Sequence, residues 1–401
     1  MADTTHNTLL PLEGIKVLEC CSFLAGPFCA SLLADYGAEV IKVEPPNVGD
    51  TARKDSDMYK GYGMDFLSIN RNKKGITLNL DAEPGRRAFA DLVKQTDVVV
   101  HNQPITRAQA LGLDYPQLAK TNRKIISLAI SGFGSVGPYA SYTSLDVAVQ
   151  ALSGAASMTG SGQASPMLAH IPFEDFGTAL YGALSVMMAL FHRERTGQGQ
   201  NVDLALYATG VSFVGAYGVL AEVALNGVVR KAVGNNVIFA VGGIYSCSDG
   251  QVAIACAAEG LWRKLCRTVG RPELIDDPRL QSDTARYEHR DLVNAAITGW
   301  SSQRAVAEVS RTLAEAGIPV GAVQSVDQVA SHPQTKALEM APTIRQPGLG
   351  EVPVSGMAMK FSETPGSIDR PAPGIGEHNK EIYDRLLGAG ACERLKKESA
   401  I

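Results

Sequence analysis

The sequence predicts an α/β protein with a mostly parallel sheet, because short β-branched runs alternate with helix-like segments. The first such unit joins "IKVL" at 15–18, the small-residue turn "AGP" at 25–27, a helix-like "LLADYG" and the strand-like "EVIKVE". The alternation continues through "GITLNL", "VVVHN" and "KIISLAISGFG". This pattern is typical of a parallel sheet that helices cover on both faces.

A second, smaller α+β domain is predicted over 226–325. The stretch "GGIYSCSDGQVAIAC" is typical of a hairpin that turns at Asp249 and Gly250, and two long helical segments follow it. In the same region Gly242 and Gly243 of "AVGGIY" either offer backbone N–H groups to a ligand or allow a strand to bend.

The overall composition excludes several classes of protein. Apolar residues make up 45% of the 401 residues and charged residues 19%, as in ordinary globular proteins. The formal net charge of −4 provides no basic face, so no nucleic-acid partner is expected. The seven cysteines have no metal-binding spacing, which predicts buried thiols in a reducing compartment and no metal site.

The N-terminal segment and one apolar stretch bear on localisation. "MADTTHNTLLPLEG" lacks the basic start and long apolar core of a secretory signal, so a cytoplasmic protein is expected. Residues 204–221 run for 18 residues without a charge, the lower length limit for a membrane span. Their Gly, Ala and Ser content, between Asp203 and Glu222, favours a buried strand plus helix instead, and no membrane partner is expected.

The candidate for chemistry is a carboxylate before a long apolar segment. Asp175 precedes "FGTALYGALSVMMALF", where an aspartate suits both a helix N-cap and a nucleophile or base. A helix N-terminus also favours negative charge and can stabilise an oxyanion. Glu174 beside it is interpreted as a solvent-facing or supporting residue. His170 and His101 could serve a ligand or simply be structural.

Ligands of parallel sheets usually bind beyond the carboxyl ends of the strands. The turn "AGP" and the turn at Asn102 are therefore predicted ligand loops. Most basic residues after the first strands are predicted to be solvated, although a phosphate-bearing ligand would need a few of them. These residues are Lys42, Arg53, Arg71, Lys73 and Lys74. No Ser/His/Asp series, HExxH, GxSxG or GxGxxG motif is present.

Eight motifs run in order from about residue 11 to about residue 380. They are "PLEGIKVLE", "LAGPFCASLLADYGAEVIKVEPPNVGD", "SINRNKKGITLNL", "SGFGSVGPYA", "LDVAVQALSGAASMTG", "EDFGTALYGALSVMMALFHRERTGQGQNVDLAL", "DDPRL" and "PGIGEH". Together these motifs resemble the family III CoA-transferases, the group of formyl-CoA transferase and carnitine CoA-transferase.

The resemblance implies a transferase that moves CoA between carboxylic acids, with a nucleophilic aspartate that falls on Asp175. In that mechanism the aspartate attacks the thioester of the donor acyl-CoA and passes through a mixed anhydride to an aspartyl-CoA thioester. The acceptor acid then takes the CoA through a second anhydride. Coenzyme A thioester is a substrate here, and the resemblance implies no tightly bound cofactor and no metal.

The same resemblance implies a CoA-binding groove, with departures from the family pattern. The residues carried over are Leu24, Ala25, Arg53, Leu78, Asn79, Asn102, Gln103 and Pro104, with Gly242 and Gly243 as a substrate loop. An arginine of the family is Pro45 here, a common aromatic is Gln103, and a basic residue is Ala110. The phosphate contacts are left open between Lys42, Arg71 and Arg107.

The resemblance also implies a fold and an assembly. A Rossmann-like large domain would comprise 1–225 and be completed by 326–401 from the other chain end, with the smaller α+β domain between them. Two chains would interlock as a homodimer, and the apolar segments 178–191 and 204–221 would pack there.

Three alternatives accompany this interpretation. An α-methylacyl-CoA racemase needs a histidine at the position of Leu145, directly before Asp146. A non-catalytic acyl-CoA-binding module would not need to retain Asp175. Succinyl-CoA or another dicarboxylyl-CoA is the preferred donor, and intramolecular transfer between two carboxylates of one substrate stays open.

Overall fold

The structure is a computed structural model that describes residues 9–54 and 58–401. Their strands are β1 Lys16–Cys20, β2 Glu39–Glu44, β3 Met58–Tyr59, β4 Tyr62–Gly63, β5 Lys74–Thr77, β6 Val98–His101, β7 Ile126–Ser131, β8 Asn201–Ala205, β9 Val241–Ser246, β10 Gln251–Cys256, β11 Val320–Ala322, β12 Thr343–Gln346 and β13 Gly350–Pro353.

The helices of the described ranges are α1 Ala25–Asp35, α2 Met64–Ile69, α3 Glu83–Val93, α4 Ile105–Leu111, α5 Tyr115–Thr121, α6 Asp146–Leu152, α7 Phe173–Thr196, α8 Leu206–Ala216, α9 Val219–Asn226, α10 Glu259–Thr268, α11 Asp283–Glu288, α12 Arg290–Ser301, α13 Val306–Glu315, α14 Val326–Ser331, α15 Pro333–Ala337, α16 Asn379–Leu387 and α17 Ala391–Lys397. Short 3-10 turns lie between several of them.

Two compact units make up the described chain. The larger unit contains the described residues of 9–155, 169–228 and 334–401, and the smaller contains 156–168 and 229–333. The domain division predicted from the sequence, 1–225, 226–325 and 326–401, remains a prediction. The smaller unit differs from the predicted segment, because it runs over 229–333 and also takes in 156–168.

The larger unit is built on a parallel sheet with strand order β5-β2-β1-β6-β7-β8. The central strands pair Val17 with both Val40 and Val98, and these apolar side chains are buried. Residues of β1, β2, β6 and β7 are buried almost without interruption, as expected for parallel strands that are covered on both faces. The predicted α/β class with a parallel sheet is confirmed.

Helix α7 lies against α1 and β7 through small residues. A Cβ added at Gly182 would lie 3.1 Å from both Cys29 Sγ and the Cδ2 atom of Leu128, so glycine permits the close approach. The opposite face of α7 is exposed in the single chain and carries Leu180, Leu184, Met187, Met188 and Phe191.

The smaller unit contains the antiparallel sheet β11-β10-β9. The predicted hairpin is confirmed, since β9 and β10 pair with Ser246 opposite Gln251 around the turn at Asp249 and Gly250. Buried residues of α10, α12 and α13 cover this sheet. The glycines of "AVGGIY" lie within β9, and a Cβ at Gly243 would lie 2.5 Å from the carbonyl oxygen of Asn235.

The uncharged stretch 204–221 forms the end of β8, all of α8 and the start of α9, in agreement with the predicted strand plus helix. Within the described ranges, no single helix has the length and apolar character that crossing a membrane requires. One bent pair, α8 with α9, meets the length and composition requirement when the two are taken together, with an angle of 62° between them.

Candidate active site

A cleft of about 460 Å³ opens at the carboxyl ends of β1, β6, β7 and β8. Along the chain the sheet grows outward from β1 to β2 and β5, then returns to place β6 on the other side of β1. Such a reversal leaves a crevice between the two connections, where α/β proteins bind ligands. We refer to this space, which is lined by Leu24, Ala25, His101, Asn102, Gln103, Pro104, Gly132, Leu145, Asp175 and Asp203 among others, as the main cleft.

Two loops meet at the reversal and are joined by reciprocal hydrogen bonds. The backbone N–H of Ser22 donates to the Oδ1 atom of Asn102 over 3.1 Å, and the Nδ2 atom of Asn102 donates to the Ser22 carbonyl over 2.8 Å. Asn102 therefore fixes the loop after β1 to the loop after β6, in addition to lining the cleft.

A buried ionic network supports the loop after β1. The Nζ atom of Lys42 lies 2.8 Å from carboxylate oxygens of both Glu19 and Asp50, and Lys73 lies 2.8 Å from Glu19. All four side chains are fully buried. Asp50 also accepts a bond of 3.2 Å from the backbone N–H of Phe23, whose φ is +65°.

This network corrects the prediction that most of the basic residues are solvated. Lys42, Arg71 and Lys73 are 0 to 1% exposed, and Arg71 pairs with Asp35 over 2.6 Å. Lys42 lies within β2, while Arg71 and Lys73 lie in the segment between α2 and β5. All three side chains are buried, where a carboxylate partner makes a charge tolerable. Lys42 and Arg71 are thus unavailable as phosphate ligands.

Asp175 lies in the first turn of α7. The helix begins at Phe173, so Asp175 is its third residue and the prediction of an N-cap at 175 is wrong. The N-cap position is Pro172, which has no side-chain acceptor, and Asp146 of α6 supplies one instead. The Oδ2 atom of Asp146 accepts the backbone N–H of Glu174 over 2.9 Å and that of Asp175 over 3.1 Å.

The same hydrogen bonds decide what the helix end can offer a substrate. The N–H of Phe173 donates to the Ile171 carbonyl and that of Phe176 to the Pro172 carbonyl. With Asp146 bonded to the two between them, all four N–H groups of the first turn have acceptors. The expectation that they could stabilise an oxyanion is therefore not met in this conformation.

The carboxyl of Asp175 has an unusual acidity. Its pKa is raised to about 7, first by burial and then by the negative charges of Asp146 and Glu174. A carboxylate with this pKa is a better nucleophile than an exposed aspartate and is still largely ionised at slightly alkaline pH.

Glu174 is buried, which excludes the solvent-facing interpretation and leaves the supporting one. Its Oε1 atom accepts a bond of 3.3 Å from the Ser153 hydroxyl, and its Oε2 atom has no hydrogen-bond partner among the described residues. Burial and the charge of Asp146 raise its pKa. A Cβ at Gly210 of α8 would lie 2.6 Å from Oε1, so α8 closes directly over this side chain.

Asp146 is itself held in place through α6. The amide nitrogen of Gln150, one turn later, donates to Asp146 Oδ1, and the Gln150 Oε1 atom accepts the N–H of Ala169 over 2.9 Å. The pair thereby connects α6 to the segment that leads into α7.

His101 and His170 differ in environment. His101 lines the main cleft and is 3% exposed, and burial lowers its pKa to about 4, so the imidazole is neutral at physiological pH. Its Nδ1 atom has no partner among the described residues. His170 is exposed and does not line the main cleft.

A second cleft of about 150 Å³ lies beside the main one and shares Ser22 and Gln103 with it. Its other lining residues are Cys20, Cys21, Val43, Glu44, Pro45, Asp50, Leu78, Asn79, Leu80, Asp81, Arg107, Leu111 and Leu113. They belong to the carboxyl ends of β1, β2 and β5 and to α4. We refer to this space as the second cleft.

The family model of CoA-transferase family III matches residues 12–379. The chain is a family III CoA-transferase. It is an enzyme of the transferase class, and its substrates include a CoA thioester.

Named relatives match this transferase along almost its whole length. A protein of Chloroflexus aurantiacus named succinyl-CoA–D-citramalate CoA-transferase is 34% identical, with 94% of each chain covered. The succinyl-CoA–L-malate CoA-transferase beta subunit of the same organism is 33% identical, with 95% of each covered. A crystal structure of a CAIB/BAIF family protein from Brucella suis is 32% identical and superposes with a TM-score of 0.83, over 94% of this chain and 99% of that one.

The residues that sequence reasoning assigned to CoA fall into three groups in the transferase. Leu24, Ala25, Asn102, Gln103 and Pro104 line the main cleft, while Leu78, Asn79 and again Gln103 line the second cleft. Arg53 lines neither, because its guanidinium binds both carboxylate oxygens of Glu44 at 2.8 and 2.7 Å. Gly242 and Gly243 lie in the smaller unit. The binding roles of all these residues stay predictions.

Sequence reasoning missed the part that Asp146 plays for the transferase. It weighed this residue only as the neighbour of an absent histidine, although the four-residue spacing of Asp146 and Gln150 is a signal of a helical pair. The contact with the start of α7 joins positions 28 and 29 residues apart, which no local pattern predicts.

Proposed function

We propose that this transferase moves CoA from succinyl-CoA, or from a related dicarboxylyl-CoA, to a small dicarboxylic acid. The observation that carries the proposal is Asp175, which lines the main cleft in the first turn of α7, where Asp146 accepts its backbone N–H. The two relatives from Chloroflexus aurantiacus support this choice of substrates, since each is named for succinyl-CoA and for a hydroxylated dicarboxylic acid.

The reaction begins at the Asp175 carboxylate. One of its oxygens attacks the thioester carbonyl carbon of the donor, the C–S bond breaks, and a mixed anhydride and CoA thiolate form. The thiolate attacks the aspartyl carbonyl of the anhydride and releases the donor acid as its carboxylate. An aspartyl-CoA thioester remains.

The second half runs the same steps in reverse order. The acceptor carboxylate attacks the aspartyl thioester and frees the thiolate, which then attacks the acceptor's acyl carbon in the new anhydride. Acyl-CoA leaves and Asp175 is a carboxylate again. No proton is consumed and no atom changes oxidation state.

The surrounding charges favour the covalent state. Burial and the charges of Asp146 and Glu174 disfavour the ionised form of Asp175, as its raised pKa indicates. Both the anhydride and the thioester at Asp175 are uncharged. Acylation therefore removes the disfavoured charge from Asp175. The free-energy difference between the free carboxylate and the covalent intermediates becomes smaller as a result.

We propose that the two clefts hold different parts of CoA. The thioester end belongs in the main cleft beside Asp175, with Leu24, Ala25, Asn102 and Pro104 along its wall. The nucleotide end extends past Gln103 into the second cleft, where Leu78 and Asn79 lie. Glu44 already binds the guanidinium of Arg53, so a phosphate would bind Arg53 only by displacing this carboxylate.

We also propose an interlocked homodimer. The exposed apolar face of α7 is supplemented by Phe213, Tyr217, Leu220 and Val223 in and between α8 and α9, with exposures from 38 to 52%. A continuous apolar surface of this kind usually belongs to an interface.

The test of the function is acyl exchange. Purified enzyme is incubated with succinyl-CoA and, in turn, malate, citramalate, glutarate and mesaconate, and the CoA products are separated by mass spectrometry. We expect exchange with at least one acid. Asp175→Ala should lower the exchange rate about a thousandfold or more, and Asp91→Ala, on the exposed surface of α3, should not.

Two results would argue for the alternatives. Epimerisation of a 2-methylacyl-CoA without acyl exchange would indicate a racemase, although Leu145 provides no imidazole at the cleft. If the enzyme converts a dicarboxylyl-CoA in the presence of isotopically labelled free acid and the acyl-CoA product carries no label, the transfer is intramolecular.

A further inference from the structure

The acidic side chains that line the second cleft are all ion-paired within the larger unit. In the second cleft the carboxylate of Glu44 is bound by Arg53, and that of Asp50 by Lys42. Among the described residues that line either cleft, Arg107 is the single Lys or Arg. Arg107 is therefore the lining residue with which an anionic ligand such as CoA can form an ion pair in these clefts.

Arg107 is bound by an acid that can release it. Its guanidinium makes two bonds to Asp81, at 2.7 and 2.8 Å, one to each carboxylate oxygen. The pair is open to solvent, with side-chain exposures of 46% for Arg107 and 66% for Asp81. Exposed pairs of this kind add little net stability, so a stronger anion can replace the carboxylate.

Asp81 keeps a second cation nearby. The guanidinium of Arg86 in α3 donates to the backbone carbonyls of Leu80 and Asp81 at 3.0 and 2.7 Å. Its charge also acts on the Asp81 carboxylate, whose pKa is lowered chiefly by its hydrogen bond with Arg107. Loss of Arg107 thus does not leave Asp81 without a positive neighbour.

We propose that Arg107 binds a phosphate group of CoA and exchanges Asp81 for it when the substrate enters. This inference rests on the proposed function and adds the residue that recognises the nucleotide end. A phosphate accepts the same forked pair of N–H donors as a carboxylate and carries more charge. Asp81 then acts as a competitor that holds the arginine at the rim in the free enzyme.

The test measures the dissociation constants of CoA and of 3′-dephospho-CoA by calorimetry, for the wild type and two variants. Arg107→Gln should weaken CoA binding about tenfold. Asp81→Asn should strengthen it about twofold, because the competing charge is gone. The control is Arg87→Gln, an arginine of similar exposure in α3 that pairs with Glu83 and Glu398, and it should leave binding unchanged.

The opposite signs separate binding from a structural role. If the ion pair only fixes α4 to the turn after β5, both variants break it and both weaken CoA binding, which would overturn the proposal. Unchanged binding in Arg107→Gln would overturn it as well. A loss for CoA that disappears with 3′-dephospho-CoA assigns the 3′-phosphate, and an equal loss with both ligands assigns the diphosphate.

The proposed function can fail separately. Exchange of CoA between acids is measured in the same preparations with saturating succinyl-CoA. Retained exchange in all variants, without the expected changes in CoA affinity, would sink the Arg107 proposal alone. If the CoA affinities change as expected but CoA is exchanged with none of the acids, the proposed transferase substrates are wrong and the phosphate contact still stands.

Discussion

Asp175 carries a charge that the folded chain disfavours. Its pKa of about 7 lies above the usual value of 3.8, because the side chain is half-buried and two acids adjoin it. Functional groups are often held in such unfavourable surroundings at the expense of stability. The proposed nucleophile of this transferase should therefore lower the stability of the fold.

Asp175→Asn is expected to raise the free energy of unfolding by about 2 kcal/mol at pH 8. Below the unfolded-state pKa of about 4, the carboxyl of Asp175 is protonated in both the folded and the unfolded chain, so its ionisation costs the fold no stability. The loss of stability caused by the ionised Asp175 grows as the pH rises and is complete above about pH 7. Urea unfolding at pH 8 and pH 5.5, at one protein concentration, checks this, and a gain that did not shrink at pH 5.5 would contradict it.

Asp146→Asn should shift the acidic limb of the pH–rate profile to lower pH. The amide oxygen of asparagine can still accept the N–H groups of Glu174 and Asp175, while its charge no longer raises the pKa of Asp175. Activity requires the ionised carboxylate, so it rises with pH through this pKa. Burial, the larger cause, would keep the pKa above its usual value.

The measurement is kcat/KM for succinyl-CoA between pH 5 and 9, with Asp91→Asn as a control on an exposed acid. A profile of Asp146→Asn that coincides with the wild type would show that its charge does not act on the nucleophile. Loss of activity at every pH would point to a role in holding α7 alone.

The sequence predicts Asp175 correctly as a residue of interest, but not its surroundings. The predicted cap at 175 was wrong because the acceptor comes from Asp146, on another helix. The prediction that most of the basic residues after the first strands are solvated is wrong for a related reason. Lys42 and Lys73 look like surface residues in the sequence, and only the sheet brings Glu19 to both of them.

At the scale of elements, the position of α7 depends on glycines in the helices around it. Gly210→Ala should lower the free energy of unfolding by about 1–3 kcal/mol, because its Cβ would lie 2.7 Å from that of Ser153 as well as against Glu174. Gly215→Ala, in the same helix, should be neutral or gain up to about 1 kcal/mol, since its nearest neighbour is 3.4 Å away. Thermal or urea unfolding distinguishes the two, and equal effects would refute the packing argument.

Regular alternation predicts the elements of the sheet well. The strands at "EVIKVE" and "VVVHN" and the hairpin after residue 240 agree with the structure, since each has a clear period or turn signal. The last helix, α17, has no counterpart among the elements that the sequence predicts. Its buried residues Ala391, Cys392 and Leu395 share a core cluster with residues of α3 that are distant in sequence.

At the scale of the whole molecule, the apolar face of α7 remains unexplained by a single chain. Met188→Glu, at 62% exposure, should block the proposed homodimer and lower transfer activity. The control is Val326→Glu in α14, at 86% exposure. Light scattering after gel filtration gives the mass. A wild type of single-chain mass, or an unchanged dimer in Met188→Glu, would contradict the proposal.

Alternating strand-like and helix-like segments suffice to predict the parallel sheet of the transferase, because such a sheet repeats one local unit. The clefts could not be predicted to the same depth. They arise where chain segments such as 22–25, 101–104 and 143–145 meet, and the contacts there depend on strand order.

The central claim is covalent catalysis by Asp175. The enzyme is mixed with succinyl-CoA, without acceptor acid, and treated with hydroxylamine, and the peptide that contains Asp175 is sequenced by tandem mass spectrometry. The account predicts a hydroxamate at Asp175, in wild type and not after heat denaturation before mixing. Active turnover with Asp175 unmodified under every condition, or transfer that persists in Asp175→Ala, would contradict it.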